Sequence, residues 1–312
     1  MRIAIAGGTG FIGRELTRQL IDARHDIVWL SRCPGRVREL GFDPDTLDEE
    51  LFNHRNPDGA WRAEVAAADT VVNLSGHPIA SRWNAKVKHL LRESRVGTNQ
   101  ALVSALAEAA RIDPDRPRVF VSASGVGIYG DRGDELLGES SEPGADWLAT
   151  LACEWEASAR EAERSSGTRV VCIRTGLVLG EEGLIPRLAL PMRLFVGGPV
   201  GSGRQWATWI HVEDVAAIYR HAIESPQLAG PVNACAPDPV RMRDLAATLG
   251  RAMGRPSWLP IPGIALKLVL GEVAPYMLYS QRAEPRALDD TSFTYRFPEL
   301  EAAMADVVGR RG

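Results

Sequence analysis

Residues 3–13 read Ile3-Ala4-Ile5-Ala6-Gly7-Gly8-Thr9-Gly10-Phe11-Ile12-Gly13, and this stretch decides the fold. A short apolar run leads into glycines spaced three apart, Gly7, Gly10 and Gly13. Apolar residues then recur at helical spacing, at Phe11, Ile12, Leu16, Leu20 and Ile21. Glycines alone only permit turns. Strand, glycine triplet and amphipathic helix in immediate succession meet a narrower need: a tight turn, a backbone close to a pyrophosphate, and a helix N-terminus aimed at the anion. The expected dinucleotide contacts are therefore Gly7, Thr9, Gly10, Phe11, Ile12 and Gly13.

Outward from this loop, short β-branched runs alternate with helical patterns. Strands are expected at Ile3 to Ala6, Ile27 to Leu30, Thr70 to Leu74, Val119 to Ser122 and Val170 to Ile173. A long helix is expected over residues 84–110 and another over 146–165. The pattern predicts an α/β fold, a doubly wound parallel sheet of Rossmann type, with a smaller C-terminal substrate-side domain. After Arg174 the rhythm gives way to a Gly- and Pro-rich stretch, followed by a helix opening near Val212 and a strand near Val232. We expect a dinucleotide-binding domain over residues 1–240, with a substrate-side loop insertion at about 180–210, and a small domain over 241–312.

The strand ending at Leu30 is where NAD-binding chains commonly place an acidic residue against the ribose 2′-hydroxyl. Here Ser31-Arg32 stands instead. An arginine can pair with the extra 2′-phosphate of NADP, which a carboxylate would repel. The alternative is a solvated surface arginine. NADP is the cofactor expected.

A formal charge of -4 excludes the basic field of a nucleic-acid binder. Of 36 basic residues only Lys86, Lys88 and Lys267 are lysines. Cys33, Cys153, Cys172 and Cys235 lie far apart, consistent with reduced thiols in a cytoplasmic protein. No apolar run reaches the length of a membrane span, so no membrane partner is expected.

The glycine loop, Asn73-Leu74-Ser75-Gly76, and Ser122-Ala123-Ser124 leading to Tyr129-Gly130 together resemble the extended short-chain dehydrogenase/reductases. More narrowly, the chain is similar to their atypical epimerase-like branch, in the NAD-dependent epimerase/dehydratase family, which ends in a C-terminal domain of unknown function. Arg82-Trp83, Glu93-Ser94-Arg95, Glu154-Trp155-Glu156, Arg174-Thr175-Gly176 and Trp209-Ile210-His211-Val212-Glu213-Asp214 support the resemblance, as do the tail stretch from Leu270-Gly271-Glu272 through Gln281-Arg282 and Phe297-Pro298-Glu299-Leu300. The resemblance implies that Leu74, Ser75 and Gly76 pass beside the cofactor. It further implies that Arg95 reaches the cofactor from the long helix and that Val178 sits near the nicotinamide. Plainer roles stay open: a core leucine, a helix-surface charge and a turn.

Hydride transfer in that family uses a tyrosine with a lysine four residues later, the lysine lowering the tyrosine pKa and holding the ribose. This chain has no such pair: four residues before its lysines stand Arg82, Asn84 and Gly263. The resemblance puts Leu148 and Ala152 in those places, and neither can move a proton. Ser124 is the expected substrate-binding hydroxyl and Tyr129 the nearest phenol, so these two are the catalytic candidates. Their alternatives are a loop hydroxyl and a packing residue.

A second glycine-rich stretch, Gly197 to Gly203, is expected to be a mobile pocket loop. Two residues after Gln205, where nucleotide-sugar members hold an arginine, stands Ala207, which counts against a nucleotide-sugar substrate. Trp206, Trp209 and Tyr129 are expected to line a flatter, apolar pocket. No histidine pairing suits a metal, and His211 is expected to open a helix. The sequence thus points to an NADP(H)-dependent oxidoreductase or epimerase-like enzyme acting on a small molecule, as a monomer or homodimer. A non-catalytic NADP(H)-binding redox sensor or regulator, linked to cell division in some relatives, is the alternative.

Overall fold

A computed structural model of the chain describes residues 1–116 and 118–310. Its strands, in chain order, begin with β1 (Arg2–Ala6), β2 (Asp26–Ser31), β3 (Leu47–Leu51), β4 (Thr70–Asn73), β5 (Val119–Gly125), β6 (Leu136–Leu137) and β7 (Arg169–Thr175). They continue with β8 (Leu177–Leu179), β9 (Trp206–Ala207), β10 (Trp209–His211), β11 (Gly230–Ala234), β12 (Val240–Arg241) and β13 (Arg282–Ala283). Seven pair in parallel in the order β11-β7-β5-β4-β1-β2-β3. The order reverses between β1 and β4, and a crevice opens beyond the carboxyl ends of strands at such a switch point.

Helices cover both faces, as buried parallel strands require. Leu16 and Leu20 of α1 (Phe11–Asp22) and Val215, Ile218 and Tyr219 of α7 (Val212–Glu224) pack on one face. The other is covered by Trp61 and Val65 of α2 (Trp61–Ala67), Leu102 and Leu106 of α4 (Thr98–Ile112), and Ala159 and Ala162 of α5 (Trp147–Ser166).

All five expected strands are present, and β11 is the one expected near Val232. The edge strand β3 is not foreseen in the sequence, because Leu47-Asp48-Glu49-Glu50-Leu51 is acidic rather than β-branched; its pairing with β2 alone leaves one edge to water. The helix expected over 84–110 is α3 (Ala85–Arg92) and α4 joined by a π-helical turn, Glu93–Gly97. Asn84 caps its start, its side chain accepting from the Val87 amide at 2.9 Å.

Beyond the sheet, α6 (Leu184–Arg193), α8 (Met242–Met253) and α11 (Leu300–Gly309) enclose β8 and β10 in a second apolar cluster. Between α8 and α11 lie α9 (Gly263–Leu270) and α10 (Arg286–Asp289). The tail returns to the first half of the chain where β13 pairs with β6. The last two residues of the expected 241–312 unit lie outside the described residues.

Candidate functional site

The glycine loop and the segment after β4 form the two lips of the switch-point crevice. Gly7 adopts φ 88°, and a side chain there would meet the Leu74–Ser75 backbone at 2.7–2.8 Å. Gly13 lets α1 close on the loop, since a Cβ would lie 2.4 Å from the Gly7 carbonyl. Gly10 is the N-cap of α1, with no side chain capping the helix and no acidic residue in its first turn. The first amides of α1, from Phe11 to Gly13, therefore keep their donors for an anion. Thr9 is fixed through its carbonyl, which accepts from Arg14 Nη1 at 3.1 Å.

On the opposite lip, Asn73 Oδ1 accepts from the Ser75 amide at 2.9 Å and Ser94 Oγ accepts from the His77 amide at 2.9 Å, holding Leu74 to Gly76 in place. The π-helical turn directs Arg95 inward. Its Nη1 donates to the carbonyls of His77 and Leu91, its guanidinium lies 5.0 Å from the Trp155 ring centre, and Gly76 leaves it room. Arg95 is 6% exposed, and among the described residues no carboxylate pairs with it. Burial alone pulls its pKa down to about 10. Arg95 is thus neither a helix-surface charge nor part of an ion pair.

Ser31 ends β2 and its Oγ accepts from the Cys33 amide at 3.2 Å. Arg32 is exposed beside it and forms no ion pair among the described residues. Val178 lies on β8, paired with Ile210, and two residues on, a Cβ at Gly180 would stand 2.3 Å from the Phe11 ring. The structure therefore gathers Gly7 to Gly13, Ser31, Arg32, Leu74 to Gly76 and Arg95 around the carboxyl ends of β1, β2 and β4, while Val178 stands apart from them on β8.

The two catalytic candidates are brought together elsewhere. Ser124 is buried and its Oγ donates to Glu156 Oε1 at 2.7 Å. Glu156 accepts from Arg174 Nε at 2.8 Å and Nη2 at 2.9 Å. Arg174 Nη1 donates in turn to the Tyr129 hydroxyl at 3.0 Å, and that hydroxyl donates to Asn233 Oδ1 at 2.7 Å. Burial raises the Tyr129 pKa against the opposing pull of Arg174 and Asn233. Burial also opposes the Arg174 charge, but Glu156 and Tyr129 outweigh it and hold the guanidinium above its ordinary value. Tyr129 is 0% exposed and its hydroxyl is fully engaged, so its place is that of a buried packing and bonding residue, not an acid facing an open cleft.

The expected aromatic pocket is likewise redistributed. Trp209 is buried in the second cluster, with Nε1 bonded to the Asp238 carbonyl. Trp206 is flanked by Arg241 and Arg282, at 4.0 and 4.5 Å from its ring centre. Aromatic rings gather instead around Trp83, on the cluster against which Leu148 also packs. Trp83 lies 4.9 Å from both Trp147 and Tyr276, and Tyr276 lies 5.1 Å from Tyr279. Leu148 fills the space that Gly127 leaves and packs in the same cluster. Tyr276, on the turn Pro275–Leu278, had no local signal in the sequence. The Gly197–Gly203 loop is stitched to the tail by the Ile261 amide on the Pro199 carbonyl and the Gly201 amide on the Ile261 carbonyl, a tethering that the expected mobile loop lacks.

His211 caps α7, its Nδ1 accepting from the Glu213 amide. With Glu213 and Asp306 it forms the one cluster of metal-ligand type among the described residues. Glu213 is already bound by Arg296 and Arg310, and Asp306 by Arg310 and His211. Cations of the chain itself thus take up the carboxylate charge that a metal would need.

Residues 3–235 match the NAD dependent epimerase/dehydratase family, and residues 261–307 match a domain of unknown function, DUF1731. Epimerase family protein YfhF of Bacillus subtilis is 34% identical over 312 residues, covering 100% of this chain and 99% of that protein. Epimerase family protein SDR39U1 of Homo sapiens is 36% identical over 315 residues, covering 99% of this chain and 100% of that one. A crystal structure of human SDR39U1 (isoform 2) with NADPH superposes with a TM-score of 0.83 at 33% identity, covering 99% of each chain. UDP-N-acetylglucosamine 4-epimerase from Bacillus cereus shares the fold, with a TM-score of 0.77 at 17% identity over 100% of each chain. A parallel Rossmann-type sheet, a glycine loop at its switch point and full-length similarity to these relatives together make the chain a member of the NAD-dependent epimerase/dehydratase family.

Proposed function

We propose that this protein is an NADP(H)-dependent oxidoreductase or epimerase-like enzyme acting on a small molecule that presents a carbonyl or alcohol. The observation that carries the cofactor reading is Arg95, a buried guanidinium on the lip of the glycine-lined crevice with no carboxylate partner among the described residues. An unpaired buried cation is costly, and a bound phosphate would supply its missing counter-charge. The NADPH in the human SDR39U1 structure agrees with this reading.

The fit extends along the crevice. The open first turn of α1 suits the pyrophosphate, and Arg32 at the end of β2 suits a 2′-phosphate. When bound, the cofactor supplies or accepts the hydride. The chain must hold the substrate, exclude water and move one proton. Tyr276 is the phenol that packs on the same apolar cluster as Leu148, its ring 4.9 Å from that of Trp83. Burial raises its pKa, Asp146 adds to the rise, and Lys88 and the Trp147 amide oppose it, so it stays a neutral donor near pH 7. We assign the proton to Tyr276, and to Ser124 and Tyr129 the positioning of β5 and the loop after it.

The test is to measure NADPH and NADH binding by tryptophan fluorescence, then follow NADPH oxidation across a panel of aldehydes and ketones. Tyr276→Phe should keep NADPH affinity and lower kcat on any turned-over substrate about 100-fold, at the lower end of general-acid effects. Tight NADPH binding with no turnover of any compound would sink the enzyme reading and leave a cofactor-binding protein.

A further inference from the structure

Twelve large apolar side chains are exposed among the described residues, and eight of them lie in just two segments, 190–196 and 258–268. The segments are adjacent in space. The Leu259 amide donates to the Gly197 carbonyl, Val200 bridges Ile261, and the Arg255 guanidinium lies 4.8 Å from the Phe195 ring centre. Leu194, Phe195, Trp258, Ile264 and Leu268 stand at 56–78% exposure on this face. Such a concentration exceeds the scattered apolar residues of an ordinary surface. Phe195 holds φ 61°, a left-handed backbone rare for a bulky side chain, and so the chain sustains local strain where it presents this ring to solvent.

Within the two segments that build the face the charge has one sign, the nearest acids being Glu272 just after α9, paired with Lys88, and Glu301 of α11, paired with Arg251. Residues 183–212 and 245–271 contain no Asp or Glu, although the chain carries a net charge of -4. The exposed cations there include Arg187, Arg193, Arg255 and Lys267. A second copy meeting this face by two-fold symmetry would set those cations against themselves. A protein partner's rim would more commonly mix polar and charged groups. Protruding Trp, Phe and Leu on segments that carry Lys and Arg but no acid of their own suit the headgroup–acyl boundary of an anionic bilayer.

We propose that this face docks on an anionic lipid surface, inserting Phe195 and Trp258 while Arg193, Arg255 and Lys267 engage the headgroups. Among the described residues no helix is long and apolar enough to cross a membrane, and interfacial docking needs none. The expectation of no membrane partner rests on the lack of a span, so it does not weigh against surface docking. The inference is independent of the proposed activity.

The experiment floats the full chain with phosphatidylcholine vesicles that contain or lack phosphatidylglycerol, at low and high salt. The protein should rise with the anionic vesicles, release at high salt, and shift its tryptophan emission to the blue on binding. Phe195→Ser with Trp258→Ser should abolish flotation while NADPH binding is retained. Arg193→Gln and Lys267→Gln, which leave the apolar residues alone, should each weaken binding about fivefold. Absence of flotation, equal binding to neutral vesicles, or a doubling of mass in solution abolished by the double serine variant would each overturn the proposal, the last in favour of a second copy.

Discussion

Glu156 grips Arg174 with two parallel hydrogen bonds, 2.8 and 2.9 Å long, both side chains about one-tenth exposed. Ser124 and Tyr129 hang from opposite ends of that pair, so it links α5, β5 and β7 with the segment after β5. Breaking one member leaves the other charge buried and unpaired. Glu156→Gln should therefore lower stability by about 3–5 kcal/mol in urea denaturation. Removing both charges, with Glu156→Leu and Arg174→Met, should restore much of the loss. NADPH affinity should stay within about twofold of wild type in both variants, because the pair lies outside the crevice lips. A double variant no more stable than Glu156→Gln would show that the pair is not the source of the effect.

Arg32 is exposed, lacks an ion-pair partner among the described residues and follows the strand that flanks the glycine loop. Its removal should cost only the contact with a 2′-phosphate. Arg32→Ala is expected to weaken NADPH binding at least about tenfold, a charge-assisted hydrogen bond being worth about 1.5–3 kcal/mol. NADH binding should barely change. Calorimetric titration of both cofactors decides it: equal losses would place Arg32 elsewhere on the nucleotide.

The glycine loop, the order of the main strands and the Ser31-Arg32 pair are legible in the sequence because each is a local pattern. Gly7 to Gly13 turn within one strand–helix unit, and Arg32 is simply the next residue after the strand. The edge strand Leu47–Leu51 escapes such reading because sheet pairing, not side-chain preference, makes it. Tyr129 is near Ser124 in sequence and so reads as its partner, yet the short helical turn Val126–Tyr129 rotates it into the core. Tyr276 lies far along the chain from Leu148, and only the packing of the tail against the cluster around Trp83 puts both on one apolar patch. The inward course of Arg95 likewise depends on a π-helical turn inside what the sequence shows as one long helix over 84–110.

Gly13 tests the loop itself. A Cβ there would stand 2.4 Å from the Gly7 carbonyl and 2.8 Å from the Gly8 Cα, both backbone atoms that cannot swing aside. Gly13→Ala must push α1 away from the loop. The overpacking should cost about 1–3 kcal/mol in thermal or urea unfolding and weaken both NADPH and NADH. Gly41→Ala is the matching control: it has φ 83° with nothing within 4 Å, so it should strain the backbone modestly and leave cofactor binding intact. Normal cofactor affinity in Gly13→Ala would remove the loop from the binding site.

Three histidines are expected to make stability fall in mild acid. Burial lowers the pKa of His54, His211 and His221 below the ordinary 6.5. For a base with a depressed folded pKa, the unfolded chain binds more protons across the window between the two values. The destabilisation is therefore absent well above 6.5, sets in as pH falls through it, and is complete below the folded values. His211 is wholly buried, caps α7 through Nδ1 and sits 3.1 Å from Asp306 on α11, whose charge only partly offsets the burial. Asp214 acts with the opposite sign: burial raises its pKa, so it gives back stability only as pH drops toward the carboxylate range. Urea-unfolding free energy should thus decline as pH falls through 6.5, the ordinary histidine value. His211→Asn, which keeps a cap for α7 but has no proton to take up, should flatten that decline while costing stability near neutrality. An unchanged slope in His211→Asn would assign the loss to His54 and His221.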